Sequence, residues 1–334
     1  MIRMQQSLND MIYAPVLIPT LNRYEHLKQC LESLSRCTWA DKTEVYVALD
    51  YPPADKWDKY APGWEKNRDW LRSVGDMGFK KLHLIERTEN YGIWTSKRSN
   101  ADALIEEVVK EHPYYIFTED DNVFSPCFLE YMDKGIEKFK DDESVMALCG
   151  YAYPYPIKQN ANTFFRQSVN FSGWGCLSFD RHYPSHIDYK FMRKFFSWKT
   201  CRELYTKYGA RRLATYISSC NKEDRCITMI DVNLSLLGSL LGKDFIMPTK
   251  SLVRNIGADG SGVNFIANAD EDPVSAMLLR QEISESATFE FQGTGFEHYD
   301  ENREVLVSQH WKQMSNWQLV KVITKSLVKR IIKG

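Results

Sequence analysis

The sequence predicts an α/β protein with a mixed, mainly parallel central sheet flanked by helices, and a C-terminal helical extension. In residues 1–150, short apolar runs alternate with amphipathic stretches of helical period, and strands joined by helices pair in parallel. Polar or acidic residues stand directly after three of these runs, where parallel sheets collect ligands. With 43% apolar residues in 334, the chain can also fill a large core.

In the first half of the chain, predicted strands alternate with predicted helices. We predict strands over 14–18, 44–49, 82–85, 114–118 and 145–149. Helices are expected over 24–35, 95–110 and 126–139. Pro19 ends the first strand, and the leucines of the first helix recur on one face. Residues 51–81 are expected to form a Trp-rich polar connection.

The second half is less regular and more aromatic. A helix is expected over 234–241, and the glycine-rich sequence of 255–262 predicts a polar loop. We divide the chain into a ligand-binding α/β half (1–150), the other half of the same domain (151–265) and an extension (266–334).

Composition excludes several classes of protein. With 43 Lys and Arg against 44 Asp and Glu, the net charge is −1, so the chain is not a globally basic nucleic-acid binder. Its eight cysteines have neither zinc-site nor Cys-x-x-Cys spacing and are expected to be reduced core residues. The sequence has no apolar secretory leader and no run of about 20 apolar residues. We therefore expect a cytoplasmic protein, at the inner face of the cell membrane if its tail binds lipid.

The acidic triplet Glu119–Asp121 is the sharpest candidate site. Three adjacent carboxylates at a strand end repel one another and need a cation or strong donors. Mn²⁺ or Mg²⁺ prefers such oxygen ligands and leaves positions open for phosphates. A solvated acidic turn before the helix at Pro126 is the alternative.

Several short motifs resemble nucleotide-sugar glycosyltransferases of the A fold, family 2 type. They are PVLIPTLNR at 15–23, VALD at 47–50, NYGI at 90–93 and FTEDD at 117–121. FSGWG at 171–175 is also similar to the N-acetylglucosaminyltransferase I group, and the resemblance spans about residues 14–265. It implies a Rossmann-like fold and an inverting, metal-dependent transfer from a nucleotide-diphosphate sugar, with UDP as the expected nucleotide. The implied acceptor is a glycan or a lipid-linked glycan of surface polysaccharide synthesis.

The resemblance also implies roles for individual residues. The residues that would contact the base and ribose are Pro19, Thr20, Asn22, Arg23 and Asp50. Glu119 and Asp120 would touch the ribose and donor sugar, and Asp121 would ligate the metal. Because the first acid is Glu, the triplet departs from a plain Asp-x-Asp motif and leaves the direct ligand open. A turn cap is the alternative role for Asp50.

Phosphate and sugar contacts are expected around the helix that follows Gly92. Lys97 and Arg98 near its N-terminus could attract a diphosphate, or could form a salt-bridge network with the carboxylates. Asn100 could hydrogen-bond the donor. Trp174, between two glycines, offers either an apolar face to a sugar or a buried core ring. Arg254 or Asn264 is a further candidate for the diphosphate.

Inverting transfer needs a general base, and the resemblance places it near the helix before residues 246–248. Asp231 fits that spacing, with Asp224 and Glu223 as alternatives. The apolar neighbours of Asp231 are expected to raise its pKa, although it could instead be the N-cap of the helix at 234–241. His298 and His310 are candidates for either an extra metal ligand or a structural role.

The C-terminal tail suggests a separate property. From 305 to 334 there are six basic residues and no acidic one, and lysines recur every four residues from Lys321. The apolar residues Leu319, Val320, Ile323, Leu327 and Ile331 fall on another face. Such a helix could lie on an anionic membrane with Trp311 and Trp317 near the headgroups, or could pack on the catalytic domain.

Two other functions share some of these features. A sugar-nucleotide pyrophosphorylase has an alternating fold and an acidic metal site, but its glycine-rich signature after the first strand is missing here. A noncatalytic carbohydrate-binding protein would explain the aromatic residues but would not need three carboxylates at a strand end.

Overall fold

The computed structural model describes residues 11–92, 99–158, 163–179, 189–220, 230–261, 273–310 and 314–333. Its strands are β1 (Val16–Thr20), β2 (Glu44–Leu49), β3 (Lys81–Glu86), β4 (Ile116–Phe117), β5 (Asn122–Phe124), β6 (Val145–Cys149), β7 (Phe164–Gln167), β8 (Cys176–Ser178), β9 (Asp244–Pro248) and β10 (Val253–Asn255).

The helices are α1 (Tyr24–Ser35), α2 (Trp57–Ser73), α3 (Asn100–Val108), α4 (Phe128–Phe139), α5 (Tyr189–Arg193), α6 (Trp198–Cys220), α7 (Ile230–Leu241), α8 (Pro273–Arg280), α9 (Tyr299–His310) and α10 (Asn316–Lys333). Helix α6 is interrupted at Gly209, whose φ is 79°. No helix in the described ranges is long and apolar enough to cross a membrane.

Eight strands form the central sheet in the order β3-β2-β1-β4-β8-β6-β9-β7. Strands β3, β2, β1 and β4 run parallel, as do β6 and β9, whereas β8 and β7 pair antiparallel with their neighbours. A separate antiparallel ribbon joins β5 to β10. The predicted mixed, mainly parallel sheet flanked by helices is thus confirmed.

The apolar patterns predicted several elements at their observed bounds. α1, β2 and β6 begin and end where the sequence places them, and β4 is shorter than predicted. The expected polar connection over 51–81 is wrong, because most of it forms α2. Pro62 and Gly63 inside the helix hid its period. Gly63 is required by close packing, since a Cβ there would lie 2.1 Å from the carbonyl oxygen of Asn22.

Two apolar cores cover the two faces of the sheet. All seven cysteines in the described ranges are free, and all of them except Cys201 are buried. Cys226 lies outside the described residues. This agrees with the expectation of reduced core thiols.

The chain after α8 returns to the main core. The amide of Phe289 donates to the Glu130 carboxylate at 2.8 Å, and the Phe289 ring packs against Tyr131. The amide of Arg166, on β7, donates to the carbonyl of Gly295 at 2.8 Å. Part of the predicted extension is therefore built into the domain that carries the sheet.

Candidate functional site

The carboxyl ends of β1 and β4 bring together residues about 100 positions apart in sequence. The Thr20 hydroxyl donates to Oδ2 of Asp120 at 2.6 Å. The Arg23 guanidinium pairs with Oδ1 of Asp120 and, at 2.7 Å, with Oδ2 of Asp121. Parallel pairing of β1 with β4 explains this convergence, since both strands end at the same edge.

The triplet is not a solvated turn, because Asp120 and Asp121 are buried. Burial raises the pKa of Asp121, and the Arg23 charge opposes that rise. Burial lowers the pKa of Arg23, but the two aspartates more than offset this, so it is raised overall. Arg23 therefore acts as an internal counterion for both carboxylates.

The start of the predicted glycine-rich loop covers Asp121. The Asn255 amide donates to Oδ1 of Asp121 at 2.8 Å, and the Ile256 N–H donates to the Asp121 carbonyl at 2.8 Å. A Cβ on Gly257 would lie 2.0 Å from Oδ2 of Asp121 and 2.9 Å from Nη1 of Arg23. Glycine is thus the residue that lets the loop approach the ion pair.

Glu119 and Asp231 form a second pair of acids at this edge. Asp231 lies in the first turn of α7, so it is not the N-cap, and its Oδ1 accepts the Gly173 N–H at 3.0 Å. Burial raises the pKa of Asp231 to about 7, although the Gly173 bond opposes the shift.

The Glu119 carboxylate is the less constrained of the two acids. Burial first, then the charges of Asp121 and Asp231, raise the pKa of Glu119 to about 8. Within the described ranges no donor hydrogen-bonds to the Glu119 carboxylate. Two neighbouring acids with pKa values near neutrality are suited to proton transfer.

The Asp50 carboxylate is held by donors from the next residue and from the turn at 90–92. Its carboxylate accepts the N–H groups of Tyr51, Tyr91 and Gly92, each at 2.9 Å, and the Asn90 amide at 3.2 Å. Burial raises its pKa, and these backbone bonds oppose the rise. The arrangement is that of the turn cap considered from sequence, and a nucleotide contact by Asp50 stays a prediction.

Other predicted residues are divided between the site and the core. Pro19 and Asn22 lie half-buried beside Thr20 at the end of β1. The Asn100 amide is used inside the protein, donating to the Ala48 carbonyl at 2.8 Å and accepting from Arg87 at 3.0 Å. Trp174 packs edge-on against Tyr151, with ring centroids 4.7 Å apart.

Some candidates lie outside the described residues: Lys97, Arg98, Glu223, Asp224, Asn264 and Trp311. The ring of His298 pairs with the Glu301 carboxylate. Nothing is described for the side chain of His310.

The donor set fits a hard cation only in part. The carboxylates of Glu119, Asp120 and Asp121 are oxygen ligands of the kind that Mn²⁺ and Mg²⁺ take. Within the ranges that the structure describes, however, no group of three or more His, Cys, Asp or Glu side chains is arranged to hold a metal. Arg23 already occupies the position between the two aspartates.

Two features of the site were not predicted from the sequence. The first is the hydrogen bond from the N–H of Gly173, in the FSGWG motif, to Asp231. Arg254 was a candidate, but its environment was not predictable: Nε is buried and has no acceptor within the described residues. A half-buried guanidinium without an acceptor at Nε is a potential anion contact.

No protein-family model matches the chain, and no curated protein matches it either. Among solved structures, the chain is similar to S. aureus TarS at 12% identity and a TM-score of 0.38, covering 82% of this chain and 41% of that one. S. aureus TarS 1-349 in complex with UDP-GlcNAc gives 13% identity and a TM-score of 0.38, with coverage of 95% and 81%.

A third similar structure is the mannosyltransferase PcManGT from Pyrobaculum calidifontis, in complex with GDP-Man and Mn²⁺. It gives 13% identity and a TM-score of 0.36, and covers 97% of this chain and 92% of that one. Because all three TM-scores lie below 0.5, these similarities carry no argument about the activity of this chain.

Proposed function

We propose that the protein is a glycosyltransferase that moves a sugar from a nucleotide-diphosphate donor, UDP-linked in the first instance, to an acceptor hydroxyl with inversion. The observation that carries the proposal is the neighbouring pair Asp231 and Glu119. Asp231 has a pKa of about 7 and one oxygen fixed by Gly173. The pair lies beside a buried acidic turn at the carboxyl edge of the parallel strands.

In the proposed reaction Asp231 is the general base. It accepts the proton of the acceptor hydroxyl as that oxygen bonds to the anomeric carbon, while the bond from that carbon to the diphosphate oxygen breaks. The Gly173 N–H holds Oδ1, which leaves Oδ2 to face the acceptor. A base with a pKa of about 7 is substantially ionised at neutral pH and still accepts a proton effectively.

The donor would lie along the carboxyl ends of β1, β2 and β4. Pro19, Thr20, Asn22 and Asp50 border the place proposed for the base and ribose, and Trp174 borders the place proposed for the sugar. Arg23 and Arg254 supply positive charge for the departing diphosphate.

Asp121 is the proposed ligand of Mn²⁺ or Mg²⁺. A bound divalent ion would neutralise the charge that develops on the leaving diphosphate. Arg23 would have to release Oδ2 of Asp121 for this to occur. The acceptor is proposed to be a glycan or lipid-linked glycan of a cell-surface polysaccharide.

Calorimetric titration of UDP and GDP, with and without Mn²⁺, tests the donor site. We expect UDP binding that requires Mn²⁺ and is lost in Asp121→Ala. Absence of nucleotide binding under all conditions would contradict the proposal. UDP binding that does not depend on Mn²⁺ would contradict the proposed metal site at Asp121.

Transfer with a UDP-sugar tests the base. Asp231→Asn should keep UDP binding and lower the transfer rate by about 100-fold or more. In the wild type the rate should rise with pH through about 7. The matched control is Asp133→Asn, since Asp133 is also a buried acid with a raised pKa but lies on α4. A fall of equal size in the control would show that Asp231 acts only through the fold.

A further inference from the structure

Helices α6 and α10 together form an exposed surface of aromatic and cationic side chains. Trp198 is 84% exposed and Trp317 is 67% exposed. Trp198 and Tyr205 are seven residues apart on α6 and therefore lie on one strip of the helix. The Tyr205 hydroxyl donates to Oδ1 of Asn316 at 3.0 Å, which brings Trp317 next to this strip. We call Trp198, Tyr205, Trp317 and Lys321 the aromatic–basic surface.

Helix α10 carries apolar residues on two faces. Leu319 is buried, and Val322 and Ile323 pack against the core beneath α6. Val320 and Val328 are exposed, as is Trp317. The expectation that Leu319, Val320 and Ile323 share one face is wrong, because Val320 is exposed. The inner face of α10 already packs against protein.

The charge around this surface is predominantly positive. Residues 189–220 contain eight Lys and Arg, of which Arg212 is buried, and a single acid, Glu203. Residues 316–333 add five Lys and Arg and no acid. The Lys321 ammonium lies 5.5 Å from the centroid of the Trp317 ring, so cationic and aromatic groups are intermixed. Exposed tryptophans within a strongly cationic patch are unusual on a surface that contacts only water.

We propose that the aromatic–basic surface docks the protein on an anionic lipid bilayer. Tryptophan rings partition to the headgroup level, and lysines beside them are attracted by anionic lipid. A soluble polyanion would account for the charge but would gain little from the outward Val320 and Val328. This inference rests on the surface itself and does not require glycosyl transfer.

Vesicle flotation of the full chain tests the docking surface. We expect binding to vesicles of phosphatidylcholine with phosphatidylglycerol and little binding to phosphatidylcholine alone. Trp198→Ala with Trp317→Ala, and separately Lys321→Glu with Lys325→Glu, should each lower the partition coefficient by about tenfold. The altered side chains are exposed, so far-UV circular dichroism and the melting temperature should match those of the wild type.

Two control variants are matched to the tryptophan and lysine variants: one removes an exposed aromatic ring elsewhere, and the other reverses two exposed charges elsewhere. Phe296→Ala removes an exposed aromatic ring elsewhere, and Lys56→Glu with Lys59→Glu reverses two exposed charges near α2. Each should bind vesicles within about twofold of the wild type. Equal binding to both lipid mixtures, no binding, or unchanged binding by the surface variants would overturn the proposal. So would binding of polyphosphate, but not of vesicles, that depends on the same lysines.

Discussion

At the scale of single residues, the site holds acids in conditions that oppose their ionisation. Asp231 and Glu119 have pKa values of about 7 and 8, mainly because burial disfavours their charged forms. A raised carboxyl pKa means that the folded state binds the proton more tightly than the unfolded state does. Ionisation of these residues therefore costs stability that a neutral residue would retain.

Asp231→Asn should consequently stabilise the protein while impairing transfer. The gain in the free energy of unfolding should grow between about pH 4, near the pKa of Asp231 in the unfolded chain, and about pH 7, its pKa in the folded protein. Above pH 7 the gain should stay constant. We expect a gain of about 1–2 kcal/mol at pH 8, from about 1.4 kcal/mol per pKa unit reduced by solvent access at this half-buried side chain. Denaturant unfolding of both proteins at pH 4 and pH 8 measures this. A gain equal at both pH values would contradict the assigned pKa.

Gly257→Ala should disrupt the contact between loop and ion pair. The new Cβ would overlap Oδ2 of Asp121 and crowd Arg23, so the loop or the pair must move. We expect a loss of about 1–3 kcal/mol in the free energy of unfolding. Ser261→Ala, at the exposed end of the same loop, should cost less than about 0.5 kcal/mol. Similar losses in the two variants would show that Gly257 has no special role.

From the sequence, the environment of one candidate residue was easier to predict than the contacts between candidates. The apolar neighbours of Asp231 were sufficient to anticipate a raised pKa. The sequence could not show that Arg23 would join Asp120 and Asp121, because that contact depends on parallel pairing of strands about 100 residues apart. Asp50 is a strand-end acid in the sequence, but three of its four donors come from residues 90–92, about 40 positions later, and the fourth is the N–H of Tyr51.

At the scale of elements, the start of α3 organises the turn that holds Asp50. Ser99 is the N-cap: its hydroxyl accepts the Asp102 N–H at 3.1 Å and donates to the Asp102 carboxylate at 2.8 Å. The next amide, of Asn100, donates to the Gly92 carbonyl at 3.1 Å. The cap thereby links the helix to the turn around Asp50.

Ser99→Ala should cost about 1 kcal/mol of stability, because the first turn of α3 loses its side-chain acceptor. Ser99→Thr, which can keep the acceptor, should cost less than half as much. Thermal unfolding of both variants gives the comparison. Equal destabilisation would indicate that tight packing at this buried position, rather than capping, governs the result.

Elements were predictable where buried residues were also apolar. In α1 the buried positions include Leu27, Leu31 and Leu34, so the helical period is visible in the sequence. In α2 the buried face is Ala61, Trp64, Asn67 and Leu71, in which a polar residue interrupts the apolar pattern. Strands β7 and β8 of the central sheet were not predicted, because each is only three or four residues long.

At the scale of the whole molecule, the chain between α8 and α9 ties its C-terminal part to the sheet. The Thr38 hydroxyl donates to the Ala287 carbonyl at 2.6 Å, far from it in sequence. Phe289 and Phe291 then join the aromatic cluster of Tyr131, Phe139 and Phe164. The extension thus contributes to the stability of the main core.

Phe289→Ala should destabilise the whole protein by about 3 kcal/mol, because it empties a buried aromatic site. Phe296→Ala, seven residues later and 51% exposed, should cost less than half of that. Urea unfolding followed by circular dichroism distinguishes the two. A small effect of Phe289→Ala would mean that this segment is only loosely attached to the core.

The buried cysteines also provide natural reporters of how the molecule opens. Burial raises the pKa of Cys30, Cys149 and Cys176. In the native protein an alkylating reagent cannot reach these thiols, and few of them are in the nucleophilic thiolate form. Alkylation must then wait for a transient opening, and each modified thiol records which part of the core became exposed. Among the cysteines in the described ranges, half-buried Cys201 should be modified first. Pulse alkylation with mass spectrometry then maps local stability without an engineered probe.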